Sequence, residues 1–249
     1  MAINNDFFNN RNSRSGGFGA NRQQSGFNFG AEEESYAHRS EGDLVTFIKD
    51  TYKLFAAGML AGTVGAYVGI GMAATVAKFF WAFFILEILL LIGIHFVKHQ
   101  KPLNLIVLYG FTFTSGLTLG PILAKFIGMG NTGIIANAFA MTTIIFGALS
   151  LFAIRTKSDF TSMGKPLFIA LIVVIIGSII NMIIGSPMLH IIIQGAVVML
   201  FSFFIVFDTQ NIIQGNYETP IDGAVALYLD FFNLFTALLQ ILGIMGSDD

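Results

Sequence analysis

The sequence predicts an all-α membrane protein, a bundle of seven transmembrane helices. Three observations carry this expectation: 11% of the 249 residues are charged and 55% are hydrophobic, seven apolar runs are each long enough to cross a bilayer, and the basic residues gather in alternate connections. Soluble domains carry about 25% charged residues, so the composition excludes an ordinary globular domain. The charge of 13 − 15 = −2 leaves no basic patch to neutralise phosphates, and no nucleic-acid partner is expected. The absence of cysteine excludes disulfides, thiolate metal sites and a cysteine nucleophile. Met1 to Asp6 lack a basic segment leading into an apolar one, so no cleaved signal peptide is expected and the first span does the targeting.

Residues 1–42 are rich in Asn, Gly, Ser and Arg, carry the acidic run Glu32-Glu33-Glu34, and show no helical or strand period. They are expected to form a disordered cytoplasmic tail, with 43–249 as the transmembrane domain. Phe7, Phe8, Phe18, Phe27 and Phe29 are either contact points for a partner or part of a solvated tail. A span needs ~20 residues to cross a hydrocarbon core of ~30 Å. The first covers about 45–72 and carries Gly58, Gly62, Gly65 and Gly69 on one face, a smooth stripe for close helix contact. The second (79–97) contains Glu87. The third (103–124) and fifth (167–184) each follow a Lys-Pro pair, where proline in a first helical turn loses no hydrogen bond. The fourth is 133–154, the sixth 188–211 and the seventh 223–245.

The thirteen lysines and arginines set an orientation. With the N-terminus in the cytoplasm, only Lys78 and Lys125 fall outside and the other eleven fall inside. Seven spans then place Asp248 and Asp249 outside.

Three acids lie within spans, Glu87, Asp208 and Asp230, and no lysine or arginine sits at their depth. An ionisable group in hydrocarbon costs on the order of 2.5–3.5 kcal/mol, so a proton or a bound cation must help to neutralise them. Asp208, late in the sixth span, and Asp230, early in the seventh, fall within roughly 10 Å of the cytoplasmic helix ends. Asn233 and Gln240 share a helix face with Asp230, and Gln194 and Asn211 share one with Asp208. Such a polar seam suits a hydrated path. Two facing carboxylates disfavour double ionisation and act as a proton sensor; the same oxygens suit a hard cation such as Ca²⁺. The alternative is structural, with each aspartate accepting hydrogen bonds and tying helices together. Glu87 is either a gate on the path or a protonated packing residue. His95 and His99, one turn apart at the end of the second span, lack a third soft ligand and read as interfacial side chains.

Five stretches resemble the Bax inhibitor-1 (transmembrane Bax inhibitor motif) family in its bacterial form: Tyr52 to Gly58 with Gly65 to Gly69, Ile85-Leu86-Glu87, Tyr109 to Pro121, Phe207-Asp208-Thr209-Gln210, and Leu227 to Phe235. The likeness covers about 44–249. It implies a bundle with the C-terminal helix central, a multi-pass protein of the cell (inner) membrane, and a pH-sensitive calcium leak. Asp208 and Asp230 would be its shared-proton sensor and transient calcium ligands, and Glu87 its second-span acid. No cofactor is implied beyond calcium as the permeant ion. Two positions depart from the family pattern. Lys98 stands where arginine is expected, so that any latch to Asp208 should be weaker, since lysine is a point charge rather than a fork. Gln240 stands where some relatives carry a base.

Two other functions compete. Intramembrane aspartyl proteases also carry one aspartate on each of two spans, but their Tyr-Asp, Gly-x-Gly-Asp and Pro-Ala-Leu signatures do not occur around Asp208 and Asp230, so no enzyme is expected. The resemblance also permits a protein that binds and restrains another membrane protein, such as a membrane protease, with the tail as its handle.

Overall fold

A computed structural model describes residues 39–246. The tail phenylalanines, Glu32 to Glu34, and Asp248 with Asp249 lie outside the described residues. Eight α-helices follow in order: α1 (Glu41–Gly71), α2 (Ala73–Lys78), α3 (Phe80–Val97), α4 (Leu103–Gly128), α5 (Thr132–Arg155), α6 (Gly164–Ile184), α7 (Pro187–Gln214) and α8 (Pro220–Met245), with one 3₁₀ turn at Thr161–Met163. Seven of them are long and apolar enough to span, and they match the seven predicted runs. The protein is a multi-pass membrane protein.

The differences lie at helix ends. Ser40 caps α1, its hydroxyl accepting from the Asp43 amide at 3.3 Å, which brings Arg39 and Ser40 out of the expected tail and into the bundle. α2 fills what was expected to be the short connection between the first two spans. α8 begins three residues early, because Thr219 and Asp222 form a reciprocal capping box and Pro220 occupies the first turn.

The glycine stripe does what its spacing predicted. Gly58, Gly62, Gly65 and Gly69 are all buried against Thr112, Gly116, Leu117 and Gly120 of α4. A methyl group on Gly65 would strike the Phe113 carbonyl, and one on Gly116 the carbonyl of Gly62. The two backbones therefore touch, which is how helices associate when lipid removes the hydrophobic drive between them.

α8 occupies the centre. It packs on α1, α4, α5 and α7, and 56% of its apolar window is buried, against 6% for α3 and 11% for the segment containing α6. α3 and α6 instead present Trp81, Phe96, Ile169 and Ile183 outward, as lipid-facing helices do. Phe231 of α8 holds the core, its ring 5.6 Å from Phe146, 5.8 Å from Phe139 and 6.5 Å from Phe55. Tyr228, one turn earlier, ties α8 to α4 by donating to the Thr112 carbonyl at 2.9 Å and meeting the Ser115 hydroxyl at 2.7 Å.

One end of the bundle gathers Arg39, Lys98, His99 and the 215–219 connection. At the opposite end Gly243 lies against Phe126 and Gly246 against Ile134. The first is the basic end of the bundle.

Candidate functional site

The Phe207-Asp208-Thr209-Gln210 stretch lies near the end of α7, and each member has its own partner. The ring of Phe207 lies over Gly164, where a side chain would crowd it. Thr209 donates to Ser150 on α5 at 3.4 Å and also meets the hydroxyl of Tyr52 on α1. Gln210 accepts from the Phe160 amide at 2.7 Å and donates to the Ser158 carbonyl at 2.8 Å, fixing the connection after α5. These contacts hold the last turns of α7 in one rotation about its axis, with Asp208 facing α8.

There Asp208 meets Asp230. The two carboxyl groups lie within hydrogen-bonding reach of each other and are 4% and 2% exposed. Both helices run farther toward the basic end than the sequence suggested, so Asp208 lies ~9 Å and Asp230 ~15 Å from their helix ends. The pair is thus deeper than expected. Asp208 Oδ1 accepts a hydrogen bond from the Tyr217 hydroxyl at 2.5 Å. Asp230 Oδ2 is buried with no hydrogen-bond partner, and a buried polar atom left unpaired costs about 1–3 kcal/mol. No lysine or arginine pairs with either carboxylate among the described residues.

Lys98 forms no latch to Asp208, weaker or otherwise. Lys98 ends α3 beside the 215–219 connection, where it bonds Glu218 and lies 3.6 Å from Asp222. Both carboxylates are at the basic end, whereas Asp208 is one to two turns inside and already bonded to Tyr217. His99, expected to be an interfacial side chain, contacts the other oxygen of Glu218 at 2.7 Å. The Lys98 hydrogen bond, followed by contact with His99, holds the Glu218 carboxyl below its ordinary value. Burial alone would lower Lys98, but its bond to Glu218 and the charge of Asp222 outweigh that and raise it. Burial, then the Asp208 carboxylate, keeps the Tyr217 phenol well above its ordinary range, so it stays a donor.

The other expected seam residues do not reach the pair. Asn233 donates to the Leu229 carbonyl at 2.7 Å within its own helix. Asn211 donates to the Phe207 carbonyl at 3.0 Å and accepts from Asn216 at 2.9 Å. Gln194 and Gln240 bond each other at 3.4 Å, roughly 15 Å along α8 from Asp230. Between them and the pair stand Ile205, Leu234 and Ala237, all fully buried. The seam is interrupted by dry packing. Glu87 lies elsewhere, on α3, accepting from Thr118 of α4 at 3.2 Å.

Two cavities flank this region, and neither is lined by Asp208 or Asp230. One, of about 510 Å³, is apolar and runs between α1, α4, α5 and α8, with Tyr228, Phe231 and Phe235 along one wall. The other, of about 550 Å³, opens at the basic end between Asp50, Lys98, Asn104 and Thr219. The pair is sealed from both. Two carboxylates and one phenol also supply fewer oxygens than the 6–8 that Ca²⁺ takes, and no group of three or more His, Asp or Glu placed to hold a metal ion occurs among the described residues.

Tyr217 and Arg39 were not anticipated. Tyr217 sits in a connection with no periodicity, and Arg39 was assigned to the tail; the composition of their segments carries no sign of either contact. The capping pattern Thr219-x-x-Asp222 could have placed the start of α8, and hence the shortness of the connection that holds Tyr217.

Comparison with known proteins adds the family. Residues 44–247 match the family described as inhibitor of apoptosis-promoting Bax1. An uncharacterized protein of Campylobacter jejuni is 51% identical over 222 residues, 87% of this chain and 96% of its own length. One from Helicobacter pylori is 49% identical over 217 residues, 87% of this chain and 94% of its own. The modulator of FtsH protease YccA of Escherichia coli is 33% identical over 167 residues, 66% of this chain and 76% of its own. With its seven spans, its paired aspartates and a match over most of its length, the chain belongs to the Bax inhibitor family of membrane proteins.

Proposed function

We propose that Asp208 and Asp230 share one proton and that its loss or gain controls a path for calcium through the inner membrane. One observation supports this above the rest: Asp230 Oδ2 is buried without a donor beside a second carboxylate. Two like charges so close in a dry site cannot both be ionised without a counter-ion. The shared proton removes one of the two charges and lets the helices close on the pair; its loss leaves two charges that require water or a cation, and such oxygens suit a hard cation such as calcium. In vesicles containing only this protein, replacing both Asp208 and Asp230 with Asn abolishes the pH dependence of calcium flux. Unchanged pH dependence sinks the assignment.

A second reading has the more direct support among relatives. YccA of Escherichia coli K12 is named a modulator of FtsH protease, and a protein of Escherichia coli O6:H1, likewise 33% identical to this chain, is named inner membrane protein YccA; calcium passage is named for none of the relatives described above. Restraint of a membrane-bound protease therefore stands beside the leak, and one protein can serve both roles. Deleting residues 1–38, which leaves Arg39 in place, separates them. If the tail is the handle, the deletion ends protease restraint while flux persists; if restraint survives, the handle lies within the bundle.

A further inference from the structure

The connection between α7 and α8 is five residues long, 215–219, yet it is held by side chains from distant parts of the chain. Arg39 Nη1 donates to the Gly215 carbonyl at 2.6 Å, and Nη2 donates to the carbonyls of Tyr217 and Glu218 at 2.8 Å each. The guanidinium also stacks on Phe47 of α1, 4.1 Å from the ring centre. A planar fork with several donors suits this task, since it fixes successive carbonyls in one geometry where a lysine would reach fewer. Gly215 takes a left-handed conformation, φ 73°, and a side chain there would meet both Arg39 and Leu44, so this residue lets the guanidinium approach. The result is that the backbone on both sides of Tyr217 is immobilised while its side chain turns inward and its hydroxyl ends on Asp208 at 2.5 Å.

The geometry points to a plug and a clamp: Tyr217 closes the Asp208–Asp230 pair on the side of the basic end, and Arg39 holds the plug in place. Arg39 touches neither carboxylate; it is a positioning residue that acts through the loop. This rests on reading the pair as the functional centre, but its geometry can be tested without flux.

The test uses a water-soluble carbodiimide, which modifies carboxylic acids that it can reach, on the full-length protein in lipid nanodiscs, with labelling at Asp208 and Asp230 quantified by peptide mass spectrometry. In the wild type the pair is slow to react. Arg39→Ala and Tyr217→Ala each speed labelling at least about tenfold, the change expected on losing a charge-assisted hydrogen bond, and Arg39→Lys falls between. Combining Arg39→Ala with Tyr217→Ala gives no further acceleration, because the two act in series. A cooperative thermal transition shows that each variant is folded, and Arg39→Lys carries the test if Arg39→Ala does not fold. Equal labelling in wild type, Arg39→Lys and Tyr217→Ala overturns the plug even if the Asn variants remove the pH dependence of flux. Accelerated labelling with intact pH dependence in those Asn variants upholds the plug and discards the proton-sensor reading.

Discussion

Two pairs of acids lie on either side of Tyr217, and the protein treats them in opposite ways. Glu218 and Asp222, at the basic end, share Lys98, and Glu218 also contacts His99. Asp208 and Asp230, farther inside, have one phenol, each other and no base. Where water is close, a salt bridge is an adequate answer to charge and changes little with conditions. In hydrocarbon, desolvating a second pair of charges is expensive, and a proton or a passing cation is left to balance the inner pair. Under the proposed function the outer cluster is a fastening and the inner pair a switch, joined by a loop that belongs to both.

Substitutions that break one side and spare the other sharpen this contrast. Tyr217→Phe has the largest expected effect on stability, a loss of about 2 kcal/mol for removing a hydrogen bond to a charged group, read as a lower melting temperature in detergent, with the outer cluster left whole. Lys98→Met comes next. It leaves Glu218 and Asp222 without their shared cation at a partly wet site, and the expected loss is about 1–2 kcal/mol, less than for a fully buried pair.

The pH behaviour of that second variant separates the regions. Glu218 is held below its ordinary value, so its contribution is complete above its unfolded value and is lost as pH falls through its lower folded one. Lys98 is raised, so its contribution is complete below its unfolded value and is lost as pH rises through its higher folded one. Between about pH 8 and 9, above the range in which a histidine ordinarily changes charge, the stability difference between Lys98→Met and wild type should therefore stay constant, and a difference that drifts across this window would show that the cluster, too, is a switch. The smallest effect belongs to salt. Raising ionic strength from ~0.1 to ~1 M shortens the screening length from ~10 to ~3 Å, which should cost the wild type under about 1 kcal/mol and Lys98→Met almost nothing.

What the sequence made legible follows the same division. The seven spans and the glycine face of α1 are local signals, set by runs of apolar or small residues, and all of them appear in the structure. That Asp208 and Asp230 lie inside adjacent spans toward the same end of the bundle was also legible, because position is counted along each helix. Which groups meet at helix ends was not. The sequence allowed Lys98 at most a weak latch to Asp208 and did not show that it would bond Glu218 and lie beside Asp222, since the choice depends on where three helix ends and a loop converge. Angular position correctly placed Gln194 and Gln240 on facing sides of α7 and α8, but it could not show that Ile205, Leu234 and Ala237 would separate them from the aspartates. Arg39 was lost to a tail defined by composition, although Ser40 two residues before Gly42 carries the signature of a helix cap.

The proposed sharing of a proton is tested most directly by infrared difference spectroscopy of the protein in bilayers during a pH titration. The account predicts a carbonyl stretch from a protonated carboxylic acid in an apolar site that changes with pH, disappears when Asp208 and Asp230 are both replaced by Asn, and survives Glu87→Gln. A spectrum with no such band, or with a band unchanged in the double Asn variant, contradicts it.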